Sequence, residues 1–299
     1  MVRTTEGSSG TPAARSAGRW SQERRLEFID FRLRWDGRLN RGDLTDFFGI
    51  SVPQASLDIA RYGELAPGNL EYDRSSRVYL AAPGFRALFS STSPERFLSE
   101  LLAIASGLRK EERSMVGHCP PVAIVPNPGR MLDLDVLVAL QRAMREGEGV
   151  RVVYQSLTRS EPSTRTLSPH ALAHDGFRWH TRAYCHSRGS FRDFVLARVF
   201  EVLGPASRGK GPEHDVEWNT LVRLVLVPHP DLPGAHRRAI ELDYGMANGE
   251  VELTCRQAHL FYVLRHLRLD EWGASPQAQQ VVLKNSSEVE RYRTEFSMA

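Results

Sequence analysis

The sequence predicts a multidomain α+β chain, with three helices and a β-hairpin at the front, a small curved β-domain in the middle and a mixed α+β unit at the end. Three observations lead there. Apolar residues recur at helical spacing from Leu26 to Tyr62 and then give way to a hairpin pattern; short β-rich runs separated by turns fill residues 150–203. A length of 299 residues exceeds what one core usually holds, so two or three compact units are expected. With 41% hydrophobic and 25% charged residues, each unit has the means to bury a core. No apolar run approaches the roughly 20 residues that span a bilayer, and the front of the chain has no hydrophobic leader stretch. A cytoplasmic protein with no membrane partner is expected.

Residues 1–18 are small and polar without periodicity, and a disordered tail is expected over them. Order begins near Trp20. Ser21 can cap a helix in which Leu26, Ile29 and Leu33 recur beside Phe28, Phe31 and Trp35, until Gly37 ends it. A short second helix is expected from about Arg41 to Phe48. Gly49-Ile50-Ser51 then makes a tight turn, with Gly49 able to take a positive φ and Ser51 placed to cap a third helix from Val52 to Leu65. Pro53 falls in that helix's first turn, where a missing N–H is harmless, and Pro67-Gly68 stops it. Leu70-Glu71-Tyr72 and Arg77-Val78-Tyr79-Leu80 flank the polar corner Asp73-Arg74-Ser75-Ser76 and read as a hairpin. Three helices and a hairpin make a winged helix-turn-helix over 19–90.

Ser93-Pro94-Glu95 starts another helix, whose apolar spacing runs to about Gly107 and which is expected to bridge domains. Residues 120–130 are rich in Pro and Gly, and an amphipathic helix from about Asp133 to Arg145 ends at Gly147, so 91–148 reads as a helical linker. The period then switches. Arg151-Val152-Val153-Tyr154, Arg165-Thr166-Leu167, Phe177 to Tyr184 and Phe191 to Val199 are strand-like, giving a strongly curved sheet or barrel over 149–204. Gly204 to Gly211 has linker composition. The last unit, 212–299, combines strand-like Leu221 to Val227 and Val251 to Thr254 with a helix from about Ala258 to Leu269 and then Val281-Val282-Leu283.

Net charge is only +3, yet 36 of the 39 basic residues are Arg, the side chain that grips phosphate bidentately. A GC-rich coding sequence accounts for much of that total, so position matters more. Seven Arg stand against four acids between Arg19 and Arg41, and eight against three between Arg151 and Arg198. Both stretches are locally basic. In a helix-turn-helix the second helix of the pair enters the major groove, so its N-terminal and outward positions meet base edges. With Ala55, Ile59 and Tyr62 facing inward, Ser51, Gln54, Asp58 and Arg61 are expected to point away from the core. Gln54 is the best base reader, since its amide can pair bidentately with adenine. Ser51, Gln54, Ser56, Arg61 and the wing residues Arg74 and Arg77 form the expected DNA-binding set.

In the middle domain, alternation along a strand places Arg178, His180 and Arg182 on one face, with Phe177 and Trp179 opposite. Tyr154 and Ser156 share a face of their strand, as do Arg192, Phe194, Leu196 and Arg198 of theirs. Arg and Tyr on one curved sheet suit an anionic ligand; the alternative is a solvated basic face. The runs Val152-Val153-Tyr154-Gln155-Ser156, Arg165 to His170, Arg178 to Cys185 and Phe191 to Val199 together resemble the WYL domain. The front, Ile50-Ser51-Val52-Pro53-Gln54-Ala55-Ser56-Leu57-Asp58 with a wing ending Arg77-Val78-Tyr79, is similar to that of WYL-domain transcriptional regulators of the kind controlling bacterial anti-phage defence operons, the BREX and CBASS regulator type.

The resemblance runs from about Trp20 to the C-terminus. It implies a winged helix-turn-helix, an Sm-like β-barrel WYL domain and a C-terminal extension domain, assembled as a nucleoid-associated homodimer that represses its own operon on double-stranded operator DNA. It further implies a single-stranded nucleic acid or nucleotide effector. Carried onto this sequence, the pocket residues are Tyr154, Ser156, His170, Arg182 and Arg198, with Arg165, Arg178, His180 and Arg192 as neighbours. The Trp-Tyr-Leu triplet itself is absent, and Trp179-His180-Thr181 stands in its place.

Two other classes compete: a hydrolytic enzyme and a protein-interaction module with a basic β-domain. The ten histidines include His170 and His174 four apart, but Pro169 and the β context keep them off one helical face. No GxSxG elbow, HExxH, P-loop or helix-opening GxGxxG is present, so neither catalytic residues nor a metal or cofactor are expected. Cys119, Cys185 and Cys255 are too dispersed for a metal knuckle and read as reduced thiols.

Overall fold

Local capping sets the front of the chain. The computed structural model describes residues 12–89, 92–270, 275–276 and 278–293. Helix α1 (Pro12–Asp36) is followed by strand β1 (Arg38–Leu39), α2 (Arg41–Phe48) and α3 (Val52–Leu65). Asn40 and Asp43 form a reciprocal capping box at the start of α2, Gly49 ends it at φ 65°, and Ser51 accepts from the Gln54 N–H at the start of α3. Of the tail expected over 1–18, residues 1–11 lie outside the described residues and 12–18 stand in α1. Pro12 occupies a first helical position, where its fixed φ suits the helix, and Ala13, Ala14 and Ala17 favour continuing it.

The wing strands β2 (Leu70–Asp73) and β3 (Val78–Ala81) pair antiparallel, and β1 adds to the far side of β3. Leu26, Phe28, Ile29 and Leu33 of α1 pack with Leu44, Ala55, Ile59 and Tyr62 in one core. Helix α4 (Pro94–Ala105), expected to bridge domains, belongs to this first unit. Its Leu101 and Phe97 pack on Phe31 and Trp35 of α1, with the Trp35 and Phe97 rings stacked at 4.2 Å. The chain divides into two compact units at Pro126, inside the segment read as a linker.

In the second unit, helix α5 (Leu134–Glu146) precedes β4 (Gly149–Tyr154), β5 (Ser163–His174), β6 (Trp179–Cys185), β7 (Ser190–Val195) and β8 (Val199–Ala206). The strand order is β7-β6-β5-β4-β8, so β7 and β8 are edges and the sheet is open where a closed barrel was expected. Bulges at Arg151/Val152, Val153/Tyr154 and Pro169/Ala171 curve it. Val136, Leu140 and Ala143 of α5 share a core with Val150, Val152, Leu167, Ala183 and Phe194, so the helix covers apolar area that closure of the strands would otherwise bury. Strand β8 runs through Gly204 to Ala206, which shortens the linker read from composition.

A short helix α6 (Val216–Asn219) leads into β9 (Leu221–Pro228), the centre of a three-stranded sheet with β10 (Val251–Arg256) and β11 (Val281–Leu283). Helices α7 (Gly234–Asp243), α8 (Leu260–His266) and α9 (Ser286–Glu290) complete this part. Residues 294–299 of the expected C-terminal unit lie outside the described residues. Among the described residues no helix is long and apolar enough to cross a membrane.

Candidate nucleic-acid interface and ligand cavity

Helix α3 presents Ser51, Val52, Pro53, Leu57, Ala60 and Arg61 to solvent, with Val52 57% and Leu57 64% exposed. Exposed apolar side chains on the outward face of such a helix suit contact with thymine methyl groups. Gln54 is half-buried and donates to Asp58 at 3.2 Å, which leaves a second amide N–H and the carbonyl oxygen for a base edge. Arg74 and Arg77 are exposed at the wing tip. The corner is braced by Asp73, whose carboxylate accepts from the hydroxyls of Ser76 and Ser75 and is held at about 2 by them.

One expectation for this helix needs correcting. Asp58 does not point outward: it is 0% exposed and takes a bidentate pair of hydrogen bonds from Arg25 of α1 at 2.6 and 3.2 Å. Position 58 falls three after Ala55 and four before Tyr62, inside the buried stripe, and the Arg25 partner makes a carboxylate tolerable there. Ser56 is an internal link: its hydroxyl donates to the Val52 carbonyl and accepts from Arg41 Nε at 2.9 Å. Sequence reasoning passed over Arg41. Its guanidinium also donates to the Tyr79 hydroxyl at 2.7 Å and lies over the Tyr72 and Tyr79 rings, joining α2, α3 and the wing. A cation in the first turn of α2 opposes the helix dipole, and that mismatch is the signal that could have found it.

In the second unit a cavity of about 550 Å³ opens between the β6–β7 face and the segment around α8. Tyr154, Arg178, His180, Arg182, Arg192 and Arg198 line it from the β-domain. Tyr154 is buried in the sheet's core, its ring edge-on to Phe194 and its oxygen accepting from the Val195 N–H at 3.3 Å. Burial pushes its phenol up, partly offset by Val195 N–H and Arg198. His180 Nε2 lies 2.9 Å from Asp175, and burial pushes its pKa down despite that carboxylate, leaving a neutral imidazole at neutral pH. Its Nδ1 is buried and has no hydrogen-bond partner among the described residues.

Arg182 is not an open cation. It is 3% exposed, donates to Asp215 at 2.8 and 2.9 Å, to Glu217 at 2.8 Å, and reaches Asp193 at 3.4 Å. Burial works against its charge, but the bonds to Asp215 and Glu217 with the field of Asp193 outweigh that and raise its pKa. On the cationic face expected of β6, Arg182 is therefore covered by acids from β7 and α6, while Arg178 and His180 meet Asp175 in the turn before the strand.

Three sequence-derived pocket residues stand elsewhere. Ser156 is buried in the turn after β4, its hydroxyl 2.8 Å from Thr158 Oγ1. Arg165 bonds to Ser187 at 3.1 Å and does not line the cavity. His170 sets Nε2 2.9 Å from Asp215, between the rings of Phe191 and Trp218, and supports the acid that holds Arg182. The cavity wall supplied by the C-terminal part was missed: Gln257, Phe261, Tyr262, Asp270, Tyr292 and Arg293. No periodicity connects these residues to the strands they face, because the juxtaposition is tertiary. Among the described residues no group of His, Cys, Asp and Glu is placed to hold a metal ion.

Family comparison follows this division of the chain. A model described as the BrxR transcriptional regulator winged helix-turn-helix domain matches residues 21–103, one described as the WYL domain matches 135–202, and one described as the BrxR transcriptional regulator C-terminal dimerization domain matches 221–289. The chain is 50% identical over 277 residues to the DNA-binding transcriptional repressor CapW of Escherichia coli (strain KTE188), covering 92% of this chain and 93% of that protein. Similar relatives of the same name occur in Pseudomonas aeruginosa, 50% identical, and Stenotrophomonas maltophilia, 46% identical, each over 281 residues covering 93% of this chain and 94% of the relative.

Proposed function

This chain belongs to the BrxR and CapW family of WYL-domain, DNA-binding transcriptional repressors, and from that premise we propose that it is a homodimer repressing an anti-phage defence operon, with DNA binding modulated by an anionic nucleotide or single-stranded nucleic acid in the Arg-lined cavity. It acts in the cytoplasm on double-stranded operator DNA, through binding and without catalysis. The observation that carries the DNA-binding half is the exposed outer face of α3, capped by Ser51 and flanked by the wing arginines Arg74 and Arg77. Support for the ligand half comes from Arg178, Arg192 and Arg198 around one cavity with the unpartnered Nδ1 of buried His180. The C-terminal part, the region matched by a dimerization model, pairs two chains so that twofold symmetry meets a palindromic operator.

The test is binding of the purified protein to a duplex from upstream of its own gene at two salt concentrations, beside Gln54→Ala and Arg198→Ala. Wild type should bind tightly and lose roughly three to five decades of affinity between low and moderate salt, as a dimer touching several phosphates per half-site does. Gln54→Ala should lose sequence preference, and Arg198→Ala should keep DNA binding while ceasing to respond to a 5′-phosphorylated oligonucleotide. No preference for this duplex over random DNA at either salt would reject the reading.

A further inference from the structure

Arg182 is held by three carboxylates that differ sharply in how firmly they are themselves held. Asp215 is 1% exposed, and besides its two bonds from Arg182 it meets His170 Nε2 at 2.9 Å and accepts from the Trp218 N–H at 3.2 Å. Asp193 lies on β7 with a largely buried side chain. Glu217 is different: its side chain is 35% exposed, it lines the cavity, and among the described residues its carboxylate has one hydrogen-bond partner, Arg182 Nη2 at 2.8 Å. An anion entering this cavity meets Arg182 with one N–H taken by the most replaceable of its partners. A further oxyanion brought to that N–H competes with the Glu217 carboxylate for it and repels it.

Glu217 also sits where displacement is transmitted. It belongs to α6, the four-residue helix whose N-cap is Asp215 and whose next residue, Thr220, leads into β9, the central strand of the C-terminal sheet. Its neighbour Trp218 packs edge-on to His170 on one side and to His259 on the other, with the Arg256 guanidinium over its ring at 4.4 Å and bonded to its carbonyl.

Resting on the proposed ligand site, we propose that Glu217 is an internal stand-in for the ligand's anionic group: a phosphate entering the cavity displaces it from Arg182 and shifts α6 and Trp218, carrying the signal into the C-terminal part. Glu217 is thus a specificity-determining residue. It sets the affinity threshold for anions and selects ligands charged enough to outcompete a carboxylate.

The experiment uses the full-length protein and a short 5′-phosphorylated oligothymidylate, with its unphosphorylated counterpart, measured by titration calorimetry and tryptophan fluorescence. Glu217→Gln, which keeps shape and removes charge, should bind the phosphorylated probe about tenfold tighter than wild type, equivalent to ~1.4 kcal/mol, and Glu217→Ala should do the same. The phosphorylated probe should change wild-type emission, and Trp218→Phe should abolish that change. If the probe binds wild type and both Glu217 variants equally, Glu217 is no competitor and the proposal falls while the ligand site stands. If the probe binds wild type no better than Arg198→Ala, the ligand site itself is rejected and the proposal with it.

Discussion

Asp58 shows how a single residue's role turns on its partner. Removing its carboxylate leaves the Arg25 guanidinium, largely buried, facing an apolar stripe, and breaking one half of such a pair costs about 3–5 kcal/mol. Asp58→Ala should therefore lower the urea midpoint of the first unit strongly, while Asp58→Leu with Arg25→Met should recover much of the loss; equal loss in single and double variants would contradict the pairing. Asp215 makes a pH argument. Burial pushes its carboxyl up, and hydrogen bonds from Arg182 and His170 outweigh this and hold it at about 2, against ~3.9 in an unfolded chain. A carboxylate depressed on folding stabilises above its unfolded value, and that contribution is lost as pH falls from ~4 through ~2. Asp175 is likewise held below its usual range: burial opposes the charge, and bonds from His180 and the Phe177 and Arg178 N–H groups prevail. Acid unfolding of the full chain should steepen in that window, and Asp215→Asn should flatten the steepening; an unchanged slope would remove Asp215 from the account.

At the scale of elements, the wing separates backbone from charge. Arg77 adopts φ 57°, a left-handed conformation that a side chain disfavours by roughly 1 kcal/mol and glycine accepts freely. Arg77→Gly should leave stability unchanged or raise it by up to ~1 kcal/mol, while reducing the slope of log affinity against log salt by about 1 per chain, about 2 for the dimer, if the side chain meets phosphate. A lower stability with an unaltered salt slope would place Arg77 outside the DNA contact. Helix α3 was legible almost to the residue, because its Ser51 cap, Pro53 and the Pro67-Gly68 stop are local signals. Helix α7 was not: its residues are half-buried or exposed, and only Ile240 packs against the C-terminal core, so it carries no strong apolar stripe. The open sheet was also illegible, since strand alternation is the same whether the edges meet or α5 covers the face.

For the whole molecule, affinity depends on coupling two DNA-reading units. The first unit, Met1–Pro126, has its own cores around Phe28 and Tyr62 and around Phe31 and Leu101, and should fold alone. Expressed by itself it should bind the operator far more weakly than the full chain, because a dimer spanning two half-sites gains orders of magnitude from effective concentration. Sedimentation at micromolar concentration should give a dimer for the full chain; a monomer with full operator affinity would refute the bivalent arrangement. By itself, the sequence determined what is local: helix starts and stops, the tight turn before α3, the basic wing, and the strand runs whose Arg and Tyr residues line one wall of the cavity. Tertiary structure alone decided which charges are free. Arg182 and Asp58 are charged in the sequence and are consumed internally by Asp215 and Glu217 and by Arg25. Those partners lie 33 to 35 positions away along the chain, and a carboxylate or guanidinium shows nothing in its own neighbourhood of the distant ion that will neutralise it once both leave water.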